Sequence, residues 1–143
     1  MLDIKRIRQN PELVRNNLMK RGEPENQRML DELINYDKKW RQCLTRLNEI
    51  RHERRVITTE IASLKKKGKD ANKELSKAKT IDTEITALEK KVNESEEKVN
   101  YYLMRLPNLL HESVPTGKDE NDNVPLRAWG EIPKVSFPVK DHI

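Results

Sequence analysis

The stretch between Pro24 and Gly68 constrains the fold of this chain more than any other feature. It contains no glycine or proline between these two ends, and its apolar residues recur at intervals of three and four. This heptad spacing predicts one helix from about Pro24 to Lys67 with a narrow apolar seam. A helix with such a seam gains most of its stability from packing, so the seam needs a partner. Its positions are Leu30, Leu33, Trp40, Leu44, Leu47, Ile50, Arg54, Ile57, Ile61 and Leu64.

A second heptad run follows Gly68 and supplies that partner. It steps by three and four from Ala78 to Leu106 without exception. Because only a few residues separate the two runs, we predict an antiparallel coiled-coil hairpin over residues 25–106, with its turn near 67–71. The seam of the second helix consists of Ala78, Ile81, Ile85, Leu88, Val92, Ser95, Val99, Tyr102 and Leu106.

The position of the turn also predicts the register of the hairpin. If the turn is centred near Lys69, facing residues have numbers that add up to about 138. Apolar residues then meet apolar residues in nearly every layer, whereas Arg54 lies opposite Glu84 and Ile85 in an ion pair at the edge of the seam. The predicted pairs are Tyr36 with Tyr102, Trp40 with Val99, Leu44 with Ser95, Ile50 with Leu88, and Ile57 with Ile81.

The two ends of the chain follow other patterns. Asn10 followed by Pro11 predicts a capped helix from about Pro11 to Arg21, with Gly22 as its stop. Residues 107–143 hold most of the seven prolines and are expected to be extended, with Val124–Trp129 as the best candidate for a short strand. The predicted fold is therefore all-α, with short N-terminal helices, the long hairpin and an extended, proline-rich C-terminal segment.

The composition excludes several kinds of site. Only 34% of the residues are hydrophobic and 37% are charged, which suits solvated helices better than a large globular core. The four glycines are too far apart for a phosphate-binding loop. The single cysteine, Cys43, allows no internal disulfide, and we find neither a catalytic constellation nor a metal-ligand cluster. With no signal peptide or membrane segment in the pattern, a cytoplasmic protein is expected.

Positive charge is concentrated in the outer half of the hairpin. Residues 38–79 contain 14 lysines and arginines against 5 acidic residues, a net charge of +9. The rest of the chain therefore carries −4, because the whole chain carries +5. A basic rod suits a long polyanion, although a merely solvated helix pair would also be rich in such residues. The candidate RNA-binding residues are Arg51, Arg54, Arg55, Lys65, Lys66, Lys67, Lys69, Lys73, Lys77 and Lys79.

Four blocks of the sequence together resemble a known family. They are "LDIKRIRQNPELVRNNLMKRG" at the start, "WRQCLTRLNEIRHERR" from Trp40, the basic turn, and "PNLLHESVPTGKDENDNVPLRAWG" from Pro107. The chain is similar to the N-terminal arm of seryl-tRNA synthetases, the serine-tRNA ligases. The last block is the most specific of the four, since a coiled coil by itself is generic.

The resemblance implies a division of labour within a two-part enzyme. Residues 1–106 would be a tRNA-binding arm that holds the long variable arm and elbow of tRNA-Ser, and residues 107–143 a connector to a class II catalytic core. That core would bind ATP and Mg, so this chain alone is expected to use no cofactor and to catalyse no reaction. The isolated arm is expected to be monomeric and the full-length enzyme a homodimer. A coiled-coil adaptor that binds a protein partner is the alternative.

Overall fold

In the residues that the structure describes, the fold consists of four α-helices followed by a C-terminal segment with little regular structure. The computed structural model describes residues 2–117, 119–131, 134–138 and 140–141. Throughout these ranges no strand forms, and residues 124–129 have no regular secondary structure, so the strand considered there is absent. The predicted all-α hairpin fold is confirmed. The helices are α1 (Ile4–Gln9), α2 (Pro11–Met19), α3 (Pro24–Lys66) and α4 (Asn72–Arg105), followed by a 3-10 turn at Glu120–Asp122.

Helices α3 and α4 form the antiparallel hairpin. At about 1.5 Å per residue, α3 extends roughly 65 Å. The rings of Tyr36 and Tyr102 stack with their centroids 6.0 Å apart, which confirms the predicted pairing at this layer. Val92 and Val99 of α4 are buried, as are Leu47 and Ile50 of α3. Helices α3 and α4 therefore bury the seam at these layers.

Gly68 ends α3 and reverses the chain direction. Its φ angle is +66°, a left-handed conformation that favours glycine. The Gly68 N–H donates to the Lys65 carbonyl at 3.1 Å, and the Lys69 N–H donates to the Leu64 carbonyl at 3.0 Å. This pair of bonds is a Schellman motif, which satisfies the last carbonyls of the helix. The turn is therefore specified locally.

The base of the hairpin contains the main apolar core. Val14 and Leu18 of α2 and Leu30 and Leu33 of α3 are completely buried. Asn10 caps α2, as predicted, because its side-chain oxygen accepts a hydrogen bond from the Leu13 N–H at 3.0 Å. The short helices thus pack against the start of α3 and the end of α4, and they widen the two-helix rod into a small bundle.

A buried carboxylate joins α1 to α3. Asp37 is 3% exposed and accepts hydrogen bonds from Arg8 Nη2 at 2.6 Å and from Arg41 Nε at 3.0 Å. The hydrogen bond to Asp37 raises the pKa of Arg8, so the guanidinium remains charged. The Arg8 guanidinium also lies 6.0 Å from the centre of the Trp40 ring.

The C-terminal segment is anchored to α2. The Asn17 amide nitrogen donates to the Leu110 carbonyl at 2.9 Å, and the Leu110 N–H donates to the Asn17 side-chain oxygen at 2.8 Å. Arg21 Nη2 donates to the Asn108 carbonyl at 2.7 Å. These contacts hold the chain beside the base after α4 ends. Among the described residues, no helix is long and apolar enough to span a membrane.

Candidate nucleic-acid interface

The tip of the hairpin presents a group of solvated cations. These residues are exposed, and across the part of the chain that the structure describes none of them has a carboxylate oxygen within 4.0 Å. They lie on both sides of the turn, so positive charge surrounds the end of the rod. We refer to them as the tip cations; they are Arg55, Lys65, Lys66, Lys67, Lys69, Lys73, Lys77 and Lys79.

The other two candidate residues, Arg51 and Arg54, have acidic partners across the seam. Arg51 Nη2 lies 2.7 Å from Glu89 Oε1. Arg54 forms two hydrogen bonds to Asp82, from Nε at 2.6 Å and from Nη2 at 3.0 Å, and its Nη1 donates to Thr58 at 2.6 Å. An RNA phosphate would therefore have to compete with a carboxylate for either arginine.

The partner of Arg54 differs from the prediction. The predicted ion pair at the edge of the seam forms, but with Asp82 instead of Glu84, which lies 3.4 Å from Arg46. A long guanidinium side chain can reach a residue beyond the one that faces its Cα, so register alone did not specify the partner. The hydrogen bond from Arg54 lowers the pKa of Asp82, and the same bond raises the pKa of Arg54.

Inter-helix ion pairs and most tip cations thus occupy different parts of the rod; the exception is Arg55, which directly follows the paired Arg54. The pairs of Arg46, Arg51 and Arg54 lie along its middle, whereas the tip cations lie mostly nearer the turn. A guanidinium already bonded to a carboxylate contributes little net positive charge. A solvated ammonium group can exchange its counterion for a phosphate at little cost. The structure therefore favours the tip as the anion-binding part of the candidate set.

Two other kinds of site are relevant on the described surface, a metal centre and a catalytic groove. Within residues 2–117, 119–131, 134–138 and 140–141, no group of three or more His, Cys, Asp or Glu side chains could hold a metal ion. An open groove of about 750 Å³ lies between α2 and residues 109–112, where Arg6, Lys20 and His111 are among its lining residues. It is open and lined by both polar and apolar side chains, and no nucleophile and base are aligned among its lining residues.

Sequence reasoning missed one cluster on α4. Arg105 and Lys98 both lie beside the ring of Tyr101, close to the base. The signal was present in the sequence, because residues three and four apart share a helix face. A count of charges does not reveal the cluster, because it directs attention to residues 38–79, where the net positive charge is concentrated.

The structure defines a class of protein. Its members have an antiparallel two-helix arm with a basic tip, and the arm extends from a small helical base. The chain belongs to the family described as the seryl-tRNA synthetase N-terminal domain, whose model matches residues 1–110. This confirms the resemblance found in the sequence.

Individual relatives agree with this assignment. The chain is 52% identical to the serine-tRNA ligase of Pyrococcus horikoshii over 92% of its own length and 29% of the relative's. It is 40% identical to the serine-tRNA ligase of Methanocella arvoryzae over 99% of its length and 33% of the relative's. The crystal structure of the Pyrococcus horikoshii seryl-tRNA synthetase, complexed with ATP, superposes with a TM-score of 0.82, covering 91% of this chain and 29% of that one. The chain thus spans about a third or less of these relatives.

Proposed function

We propose that residues 1–106 form a tRNA-binding arm that holds the long variable arm and elbow of tRNA-Ser. Serine attachment would be carried out by a class II catalytic core outside residues 1–143, which would bind serine, ATP and Mg and would dimerise. Residues 107–143 would connect the arm to that core. The observation that carries the proposal is the set of exposed tip cations at the end of the hairpin, which have no acidic partner among the residues that the structure describes.

The physical argument rests on shape and phosphate contact. Lysine side chains are long and mobile, so they follow a phosphate backbone without reading individual bases. A rod of fixed length places those charges at a fixed distance from its base. It can therefore sense whether a stem protrudes from an RNA, and specificity would come from the shape of that stem.

A gel-shift experiment with the 143-residue chain tests the proposal. We expect preference for tRNA-Ser over a tRNA that lacks the long variable arm, and binding that weakens steeply as salt rises. Exchanging base pairs within the variable stem at constant length should have little effect, whereas deleting the stem should abolish the preference. Equal binding of both tRNAs would contradict the proposal and would favour the adaptor alternative.

Substitutions separate the tip from the rest of the rod. Arg55→Ala, Lys73→Ala and Lys77→Ala should each weaken binding, and the salt slope should fall by about one unit for every phosphate that is no longer bound. Arg51→Ala should have a smaller effect, since Arg51 is bonded to Glu89. Lys90→Ala is the matched control, because Lys90 is exposed but lies 3.9 Å from Glu94. Unchanged affinity and salt slope in all tip variants would refute a role for the tip.

Two further expectations follow from the proposed division of labour. The 143-residue chain should not exchange pyrophosphate into ATP in the presence of serine, and measurable exchange by pure material would contradict it. Sedimentation should give a monomer at all concentrations, because α3 and α4 pack their seams against each other within one chain. A tight dimer would show that another surface of the arm self-associates.

A further inference from the structure

Tyr101 is the centre of a planar cationic cluster on α4. The Arg105 guanidinium carbon lies 3.6 Å from the centre of the Tyr101 ring, which is a stacking distance, and Lys98 Nζ lies 5.9 Å from the same centre. Arg105 Nη1 also donates to the Tyr101 carbonyl at 3.2 Å, which holds the guanidinium in place. We call these three residues the Tyr101 cluster.

The Tyr101 cluster packs against the aromatic layer of the seam, which consists of Tyr102 and Tyr36. Tyr101 contacts Tyr102 edge-to-face, with ring centres 5.1 Å apart, and Tyr102 stacks on Tyr36. Removal from water raises the pKa of Tyr102, with a further contribution from the charge of Glu32. Tyr102 therefore packs in the seam, whereas Tyr101 is 46% exposed and packs against Tyr102 on its inner side.

The cations of the cluster are not used for ion pairs. In the described part of the chain, neither Lys98 nor Arg105 has a carboxylate within 4.0 Å. A tyrosine and an arginine four residues apart stabilise an isolated helix by only about 0.2 to 0.5 kcal/mol. This small stabilisation of the helix does not require the Tyr101 ring to be exposed. Helix stability alone therefore does not explain why Tyr101, Arg105 and Lys98 lie together at the surface.

We propose that the Tyr101 cluster is a stacking site for an unpaired nucleobase of an RNA. A base would stack on the exposed guanidinium plane or ring, and Lys98 would bind the adjacent phosphate. This inference rests on the proposed RNA-binding function, but it adds a second site near the base of the hairpin. The tip would bind backbone phosphates, and the Tyr101 cluster would require a base that is free of the duplex.

Two RNA probes distinguish stacking from phosphate contact. The first is a tRNA-Ser transcript, which has unpaired bases, and the second is a blunt RNA duplex of similar length, which has none. Tyr101→Ala should weaken binding of the transcript about fivefold to a hundredfold without changing the salt slope, and should leave duplex binding unchanged. Lys77→Ala, at the tip, should weaken binding of both probes and reduce the salt slope.

Conservative variants distinguish the loss of a contact from the loss of the fold. Tyr101→Phe keeps the ring and should bind like the unaltered chain, whereas Arg105→Lys keeps the charge but loses the guanidinium plane and should weaken transcript binding at an unchanged salt slope. Met104→Ala is the neighbouring control, since Met104 is 76% exposed and lies outside the cluster. Circular dichroism confirms that each variant is helical.

The possible results separate the two proposals. If the tip variants weaken binding while Tyr101→Ala and Arg105→Lys bind the transcript normally, the stacking site is wrong and the proposed function stands. If Tyr101→Ala weakens both probes equally, the cluster does not recognise a free base and the inference is overturned. If the unaltered chain binds neither probe, both proposals fail.

Discussion

The base and the outer half of the hairpin are built from the same two helices but are stabilised differently. At the base, α1 and α2 cover the hairpin, and residues such as Leu18, Leu30 and Leu33 are completely buried. Farther out, towards the turn, Ile57, Ile61, Ile81 and Ile85 are only partly buried. Inter-helix ion pairs flank this thinner seam. Burial therefore stabilises the base, and the outer half retains exposed surface for a ligand.

The first way to test this difference compares two leucines of α3. Leu33 is completely buried at the base, whereas Leu64 is partly buried near the turn. Leu33→Ala should lower the free energy of unfolding by about 3 to 5 kcal/mol, because it leaves a cavity. Leu64→Ala should cost about 1 to 2 kcal/mol, since it removes less buried apolar area. Urea unfolding measures both values, and equal losses would refute the contrast between base and tip.

A second comparison uses two aspartates that each pair with an arginine of the short helices. The Asp37 side chain is 5% exposed and bonds Arg8, whereas that of Asp31 is 60% exposed and bonds Arg15. Asp37→Asn should lower the free energy of unfolding by about 2 kcal/mol, because Arg8 and Arg41 lose hydrogen bonds to a charged acceptor. Asp31→Asn should cost less than about 1 kcal/mol. If thermal unfolding shows similar losses, burial does not determine the strength of these pairs.

The smallest expected effect concerns pH and the middle of the rod. The pKa of Asp82 is lowered, mainly by its hydrogen bond from Arg54, from an ordinary value of 3.8. The unfolded chain therefore binds this proton more readily, so the stabilisation is present above about pH 3.8 and is lost as the pH falls through the lower, folded pKa. The thermal midpoint of Asp82→Asn should thus fall less in acid than that of the unaltered chain.

Arg54→Met provides the control for this pH effect. Without the guanidinium, the pKa of Asp82 should return towards its ordinary value, and the acid dependence should match that of Asp82→Asn. If both variants keep the full acid dependence of the unaltered chain, the Arg54–Asp82 pair does not contribute to stability.

The helices and their register could be predicted from the sequence because their signals are local or periodic. Asn10 caps α2 through a residue three positions away, and Gly68 ends α3 through bonds within one turn of the helix. The Tyr36–Tyr102 stack followed from the heptad spacing and the position of the turn. By contrast, the bounds of α1 were not predicted, because six residues carry too short a pattern.

The candidate site was predicted only in part. Charge counting located the cations of the outer half, including the exposed residues at the tip, but it could not distinguish Lys73 from Arg51. That distinction depends on whether a carboxylate of the other helix lies within reach, as Glu89 does for Arg51. The role of each tip cation in RNA binding stays a prediction.

The sequence by itself determined where the long helices begin and end, that the chain folds back at Gly68, and that Tyr36 faces Tyr102. Caps, glycines and heptads act over a few residues or by strict repetition, so they can be read along the chain. The tertiary structure alone decided which side chains meet across distant elements: Arg54 with Asp82, Arg8 with Asp37, and Asn17 with Leu110. These contacts depend on the packing of helices and on the reach and rotamers of long polar side chains, which no local pattern encodes.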